Sequence, residues 1–576
     1  MMATFTDTTS KDDNQIGGDA TSRNWLSLIT PIHDVIVGTR GNDTLRTAAD
    51  GDVVLGLGGD DDLSSTLNRT ALIGGRGNDT LTTNDTVTVQ DSQSAHGVAV
   101  QLGGAGNDTL DATVALQGGL DLPTQQVLTA DVLSNGDSGD DTINATAKLN
   151  GATTGTVNVE THILGGEGDD TINADADAQG AVRDPHTAMN IVDGGAGSDD
   201  ITARARTEFD GIGGTAINIL DGGGGNDVMD ATAIGNSNTI QLVKNSLHGG
   251  SGDDLMTASA TTGTNSSSAP AINELWGDQG SDTLEARHNT SGNGFIDATN
   301  YLNGGIGDDT LAAESIHSGD GQILSVNQLE GDTGRDTLNA SIDAIPLGGL
   351  AGGDLYHLSN ILNGGADDDS LEATLSITSE FPDRVDNSTA KNHLDGGTGN
   401  DTLTAHLEAS GTQPEDLLTS YHLSNILNGG FGDDTLEAFL SVKASPDAVE
   451  GSFAENRLDG GAGDDQLTVI GGTDNVLDGG PGKDTLVSGT GDDSMTGGGG
   501  NDVFVFAPPN GHDTIGDFQT SKDKIDLTAF AAEGIHTFTD LSIDTSGDSS
   551  VIHFAAADDI TVKGVTDLSS GYFLFA

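Results

Sequence analysis

One acidic side chain recurs along this chain in a fixed setting, Gly-Gly-x-Gly-x-Asp-x-apolar. Clean copies run from Gly74 to Leu81, Gly103 to Leu110, Gly304 to Leu311 and Gly429 to Leu436. The aspartates so placed are Asp43, Asp61, Asp79, Asp108, Asp141, Asp170, Asp199, Asp227, Asp254, Asp282, Asp309, Asp336, Asp369, Asp401, Asp434, Asp465, Asp484, Asp493 and Asp502. The glycines permit a tight turn with positive φ, which exposes main-chain carbonyls. The carboxylate adds a hard oxygen beside them. Six to eight such oxygens, at about 2.3–2.6 Å, are what Ca²⁺ takes. Calcium ligation is therefore the chemistry expected of these residues. Asp61, where Leu57 interrupts the glycines, and Asp369, where Asp367 replaces one, are degenerate copies. Neighbouring acids such as Asp140, Asp169 and Asp433 add charge without being counted as ligands.

Other chemistry is sparse. No His-Glu-x-x-His zinc motif occurs, and no Gly-x-Ser-x-Gly nucleophile elbow. Gly136-Asp137-Ser138-Gly139 resembles a serine-protease string but lies inside one of the turns. His357 and His422 occupy the same place in two nearly duplicated units and read as strand-surface residues. No catalytic residue is assigned, and the chain is not expected to be an enzyme. The 576 residues carry 90 acidic and 21 basic side chains, a net charge of −69. That balance excludes a nucleic-acid binder, which needs a basic footprint. The absence of Cys excludes disulfides and thiolate metal sites. No apolar run is long enough to span a membrane, and the polar first residues show no Sec-type signal. So acidic and Gly-rich a chain (85 Gly) should be disordered unless cations neutralise it.

The repeats resemble the nonapeptide of the RTX (repeats-in-toxin) family, the calcium-binding parallel β-roll. The resemblance covers some four-fifths of the chain. It implies an all-β fold, with stacked Gly-Asp turns that hold an ion between adjacent coils. In the family one coil is two repeats, 18 residues. Here the spacing of the final apolar residues starts at 18, lengthens to 27–33 from Leu81 to Leu467, then shrinks to 19 and 9. Each long period is read as one coil: calcium turns stack on one edge, and longer variable loops replace the turns on the other. In residues 304–329, a strand around Asp309–Glu314 leaves the turn, Ser315–Gln322 turns back, and Ile323–Leu329 returns. About 18 coils stacked at about 4.8 Å would give a rod of roughly 85 Å.

An Asn stands two positions before the last apolar residue ahead of the turn: Asn190, Asn218, Asn245, Asn273, Asn300, Asn327, Asn360, Asn392, Asn425, Asn456 and Asn475. Period two puts both on one face of the strand, so stacking should align the amides in a ladder. The alternative is an Asx-turn ahead of Gly-Gly.

Four regions are expected. Residues 1–35, with Trp25-Leu26-Ser27-Leu28-Ile29, cap the first coil or contact another molecule. Residues 36–470 form the long-period roll and 471–515 a compact nonapeptide roll. Residues 516–576 close it and, by the resemblance, carry an uncleaved type I secretion signal. Family enzymes and pore-formers carry further domains before the repeats, for which this chain has no room. The resemblance thus implies a secreted extracellular protein, exported unfolded by a type I apparatus and folded by calcium outside. A structural role in a surface layer, filament or matrix, with self-association, is the first expectation. Adhesion to a surface or matrix polysaccharide through variable segments such as Ser376–Asn387 and Glu408–Glu415 is the alternative.

Overall fold

The computed structural model describes residues 29–576 apart from 90–93, 118–126, 152–154, 180–185, 209–213, 237–241, 264–268, 292–294, 320–321, 346–355, 380–387, 412–420, 443–452 and 555–557. Residues 1–28 of the expected N-terminal segment, and most of the two variable segments named above, lie outside this set. The chain forms two compact units, Met1–Asn289 and Thr290–Ala576. Each is a β-solenoid of two parallel sheets. Sheet A holds strands that run into the glycine turns, such as Ala95–Ala105 and Val127–Ser138. Sheet B holds strands that leave them, such as Thr109–Gln117 and Thr142–Asn150.

The register follows the repeat. Leu45 pairs with Leu63, Leu63 with Leu81, Leu81 with Leu110 and Leu110 with Ile143. In the second unit Leu311, Leu338, Leu371, Leu403, Leu436 and Leu467 pair in succession. The long periods are therefore single coils. In the compact region the nine-residue steps alternate sheets: Leu486 pairs with Leu467 and Phe504 on sheet B, while Met495 pairs with Leu477 on sheet A.

The strands of the long coils exceed the expectation. Thr109–Gln117 has 9 residues and Val127–Ser138 has 12. In residues 304–329 the outgoing strand is Thr310–Ser318, and the return begins at Ile323. The reason is period-two alternation that outlasts the motif: Leu311, Ala313, Ser315 and His317 all point into the core.

The interior is layered by column. From Leu63 on, the motif's final apolar residue is buried, and two positions later Ala112, Ala145, Ala174, Ala203, Ala231 and Ala258 form a column of small side chains. Opposite these lies the asparagine column. In the first unit Nδ2 of Asn190, Asn218 and Asn245 each donates to Oδ1 of the next asparagine at 2.8 Å. In the second unit the ladder runs from Asn300 to Asn475 at 2.8–3.0 Å. All are buried, so they form the ladder and not solvent-facing Asx-turns. Nδ2 also crosses the core: Asn245 donates to Ser259 O (2.9 Å), Asn360 to Thr374 O (3.0 Å) and Asn425 to Phe439 O (2.9 Å). Each of these carbonyls follows a column alanine, whose small side chain lets the amide reach the opposite sheet.

The C-terminal region closes the second unit. Ser542–Ser546, Ser549–His553 and Asp559–Val562 pair antiparallel. Asp559–Val562 adds to His512–Ile515, and Phe573–Leu574 adds to Ile525–Asp526, both parallel. Phe504, Phe506 and Phe530 are fully buried there.

Candidate metal centre: the aspartate column

Each turn has six positions, with Asp at the sixth, as in Gly74-Gly75-Arg76-Gly77-Asn78-Asp79. From the turn of Asp61 to that of Asp465, positions 2 and 4 take positive φ: +117° at Gly75 and +115° at Gly77, +106° and +131° at Gly430 and Gly432. An L-residue there is strained by about 1–2 kcal/mol. Even so, five of the non-Gly residues with positive φ stand at these positions. They are Leu57 (84°), Asp137 (83°), Asp278 (70°), Asp332 (71°) and Asp367 (82°). The two degenerate copies thus keep the geometry of the clean ones.

This turn carries the aspartate inward. Asp79, Asp108, Asp141 and their equivalents from Asp61 to Asp502 are 0–3% exposed. Oδ1 accepts the main-chain N–H of the aspartate one coil earlier: Asp43 N donates to Asp61 (2.7 Å), Asp79 N to Asp108 (2.7 Å), Asp141 N to Asp170 (2.7 Å). The pattern continues from Asp309 N to Asp336 (2.8 Å), Asp401 N to Asp434 (2.8 Å) and Asp484 N to Asp502 (3.1 Å). Asp199, Asp227, Asp254, Asp282, Asp369, Asp401 and Asp465 stand in the same column.

The second oxygen is the informative one. Oδ2 of Asp61, Asp79, Asp108, Asp141, Asp170, Asp199, Asp227, Asp254, Asp336, Asp369, Asp401, Asp434, Asp465, Asp484 and Asp502 is buried without a hydrogen-bond partner. It faces the position-1 glycine. A Cβ on Gly74 would lie 2.7 Å from Gly103 O and closer still to Asp79 Oδ2. A Cβ on Gly103 would lie 2.9 Å from Gly136 O and closer still to Asp108 Oδ2. These two coils therefore each present an unpaired carboxylate oxygen and the next coil's carbonyl to one small space.

Burial raises most of these carboxyls. Asp108, Asp141, Asp170, Asp199, Asp254, Asp369 and Asp484 are pushed from 3.8 to about 7. Asp79, Asp227, Asp282, Asp336, Asp401, Asp434, Asp465 and Asp502 rise to about 6. Desolvation is the main cause. The N–H donated to Oδ1 opposes it, and other aspartates, commonly of the same or neighbouring turns, reinforce it. A column of buried like charges is sustained only by protons or cations. The donors are all hard oxygens, so the residues fit Ca²⁺. Asp Oδ2 and the turn carbonyls would hold it, and the bound ion would supply the missing positive charge.

Two predicted residues differ. Asp43 Oδ2 accepts the N–H of Thr39 (2.5 Å) and Asp493 Oδ2 that of Gly489 (2.8 Å). In both turns position 2 lacks positive φ, so its N–H points back at the carboxylate. Asp493 also lies in the other column: it accepts from Asn475 Nδ2 (2.7 Å), and its N–H donates to Asp513 (2.9 Å). The asparagine ladder thus runs into an aspartate column where the coils become compact.

Three features of the column were not read from the sequence. Asp523 extends it, accepting from Asp502 N (3.2 Å) and Gln519 N (2.7 Å). Its signal was the Asp-x-apolar string, without glycines. Asp52 and Asp513 end the second column at its compact coils; both are buried. Position 5 forms a third ladder of opposite polarity. Asn107 N donates to Asn78 Oδ1 (3.1 Å), Asp169 N to Asp140 Oδ1 (3.1 Å) and Asp464 N to Asp433 Oδ1 (2.8 Å). The neighbouring acids are thus turn-stacking acceptors. The restriction of position 5 to Asn, Asp or Ser in most turns was the available signal.

No curated protein matches the chain. Residues 36–569 match the family described as peptidase M10 serralysin C terminal. That domain is the RTX repeat-bearing β-roll, not a catalytic protease domain. Membership implies a secreted, calcium-binding protein of the type I route. No helix among the described residues is long and apolar enough to cross a membrane. Repeat, register and aspartate column agree with this match over nearly the whole chain, and the chain belongs to the serralysin C-terminal RTX family.

Proposed function

We propose that this chain is a non-catalytic, calcium-loaded structural protein of an extracellular assembly, a surface layer, filament or matrix. It is exported unfolded and folds on calcium outside the cell. The observation that carries this reading is the set of buried Asp Oδ2 atoms without a hydrogen-bond partner, such as those of Asp61, Asp199, Asp401 and Asp502. At low calcium these charges repel, and the chain stays unfolded and exportable. At millimolar calcium each turn with an unpaired Oδ2 closes on an ion. The assembly role is supported by the share of the chain given to repeats, since stacked coils present regular surfaces for self-association.

Negative-stain electron microscopy of the purified chain, in EDTA and in millimolar calcium, tests the assembly role. Sheets or filaments that form only with calcium are expected. Isolated particles in calcium would remove the assembly role and leave calcium-driven folding standing.

A polysaccharide-binding role is the second reading. Stacked rings on the outer sheet faces favour it: His248 with Trp276 (4.3 Å) in the first unit, His406 with Phe439 (4.2 Å) in the second. Saturable binding of a neutral glycan by particles that do not self-associate would select it.

A further inference from the structure

The first coil holds a group of side chains whose chemistry differs from that of the aspartate column. His33 and Asp34 stand just before Val35–Val37, the first strand of sheet A among the described residues. Asp52 stands just before Val53–Leu55, the strand with which it pairs. The register sets Asp34 beside Asp52 on adjacent coils, where Val53 N donates to Asp34 O (2.9 Å). His33 N donates to Gly51 O (3.0 Å), so the two chain segments approach together. His33 Nδ1 lies 3.2 Å from Asp34 Oδ2 and 3.2 Å from Asp52 Oδ1. These three atoms lie within 4.8 Å of one another, and no other three His, Asp or Glu residues among those described gather so closely.

Asp52 is held in place for this role. Its side chain is fully buried. Oδ2 accepts the N–H groups of Ala48 (2.7 Å) and Ala49 (2.8 Å), which turns Oδ1 toward His33. Among the described residues Oδ1 has no partner but the His33 ring. Ligating carboxylates are oriented in this way by hydrogen bonds from outside a metal site. The side chains of His33 and Asp34 are 59% and 71% exposed, so an ion can enter from that side. An ion pair alone accounts poorly for the geometry. One N–H cannot point along both 3.2 Å lines, and a hydrogen bond weakens steeply off its axis. A tetrahedral Zn²⁺ with bonds of about 2.0–2.2 Å spaces neighbouring N and O ligands about 3.3–3.5 Å apart, close to both separations. Ca²⁺ fits less well, because it takes 6–8 oxygens and one donor here is an imidazole nitrogen, which suits Zn²⁺.

We propose that His33 Nδ1, Asp34 Oδ2 and Asp52 Oδ1 form a zinc site, distinct from the calcium column, with its fourth position open to water. The bound ion ties the three-residue strand Val35–Val37 to the next coil. The inference is independent of any assembly role and requires only the fold.

The test titrates Zn²⁺ into the full-length protein held in millimolar calcium, which keeps the oxygen-only sites filled. Calorimetry should show one equivalent of Zn²⁺ bound despite the calcium, and the thermal midpoint should rise. Co²⁺ in place of Zn²⁺ should give the visible ligand-field bands of a low-coordinate site with a nitrogen donor. His33→Gln and Asp34→Asn alter exposed side chains and should leave the β circular-dichroism signal intact. Loss of a group that only orients a ligand costs about 10–100-fold in metal affinity. Loss of the ligand itself should therefore weaken Zn²⁺ at least about 100-fold in each variant and remove the Co²⁺ bands. Absence of Zn²⁺ binding in calcium would overturn the proposal and leave an ion pair only. So would one equivalent bound equally well by both variants, which would place the ion elsewhere.

Discussion

Asp199 illustrates how one side chain serves both fold and site. Its Oδ1 accepts Asp170 N at 2.8 Å, while Oδ2 is buried with no partner. Asp199→Asn keeps the acceptor and the shape but removes the charge. The calcium-free protein should tolerate it, and the loaded protein should carry one ion fewer, read by elemental analysis after gel filtration. Unchanged stoichiometry would remove Asp199 from the ligand set. The position-1 glycines give a second test. Gly103→Ala drives a Cβ against Asp108 Oδ2 and to 2.9 Å from Gly136 O. Buried overpacking of that kind should cost about 2 kcal/mol or more in calcium. Gly499 has nothing within 4 Å of its Cβ position, and Gly499→Ala should stay within about 0.5 kcal/mol. Urea unfolding of both variants checks the contrast; equal effects would mean the turn does not hold the carboxylate as described.

Among the elements, the asparagine ladder carries the largest predicted mutational effect. Asn360 donates to Asn392 Oδ1 (2.9 Å) and Thr374 O (3.0 Å) and accepts from Asn327 (3.0 Å). Asn360→Ala loses these bonds and leaves buried partners unpaired, at about 1–3 kcal/mol for each stranded group. Loss of several kcal/mol in saturating calcium, without loss of bound ions, is expected from denaturation and elemental analysis. An effect under about 0.5 kcal/mol would show that the ladder contributes little. The ladder itself was legible in the sequence, because Asn and the following apolar residue alternate at period two. Its cross-core bond was not. That depends on Ala258, Ala373 and Ala438 lying opposite, a pairing between strands that no local pattern reports. Strand length was also misjudged, since polar inward residues such as Ser315 and His317 hide the alternation.

For the molecule as a whole, charge decides the state. Column aspartates such as Asp108, Asp141, Asp227 and Asp336 are pushed by burial to about 6–7 when folded without calcium, against 3.8 for an ordinary carboxyl. The folded state therefore binds more protons than the unfolded one between these values. Without calcium, stability should fall as pH rises through that window and level off above it. With calcium the dependence should reverse, because the ion competes with the proton and binds more tightly as pH rises. β circular dichroism in EDTA and urea midpoints in millimolar calcium, each at about pH 5 and about pH 7.5, check both signs. A β signal in EDTA no greater at the lower pH would contradict the buried carboxylates. Coil period, sheet order and the turn aspartates could all be read from Gly-Gly-x-Gly-x-Asp, since the spacing fixes the register. The split between turns that leave Oδ2 free and those of Asp43 and Asp493, which satisfy it internally, could not. It rests on the φ of Thr39 and Gly489, and glycine itself permits either sign.

The central claim is that calcium closes the aspartate column and thereby folds the chain. A calcium titration of the chelated protein near neutral pH tests it most directly, following β circular dichroism and bound ions together. The account predicts little β signal in EDTA. It predicts a cooperative rise with calcium and, at saturation, bound ions approaching in number the column aspartates whose Oδ2 is unpaired. A chain equally folded in EDTA and in calcium, or one that binds only a few ions at saturation, would contradict it.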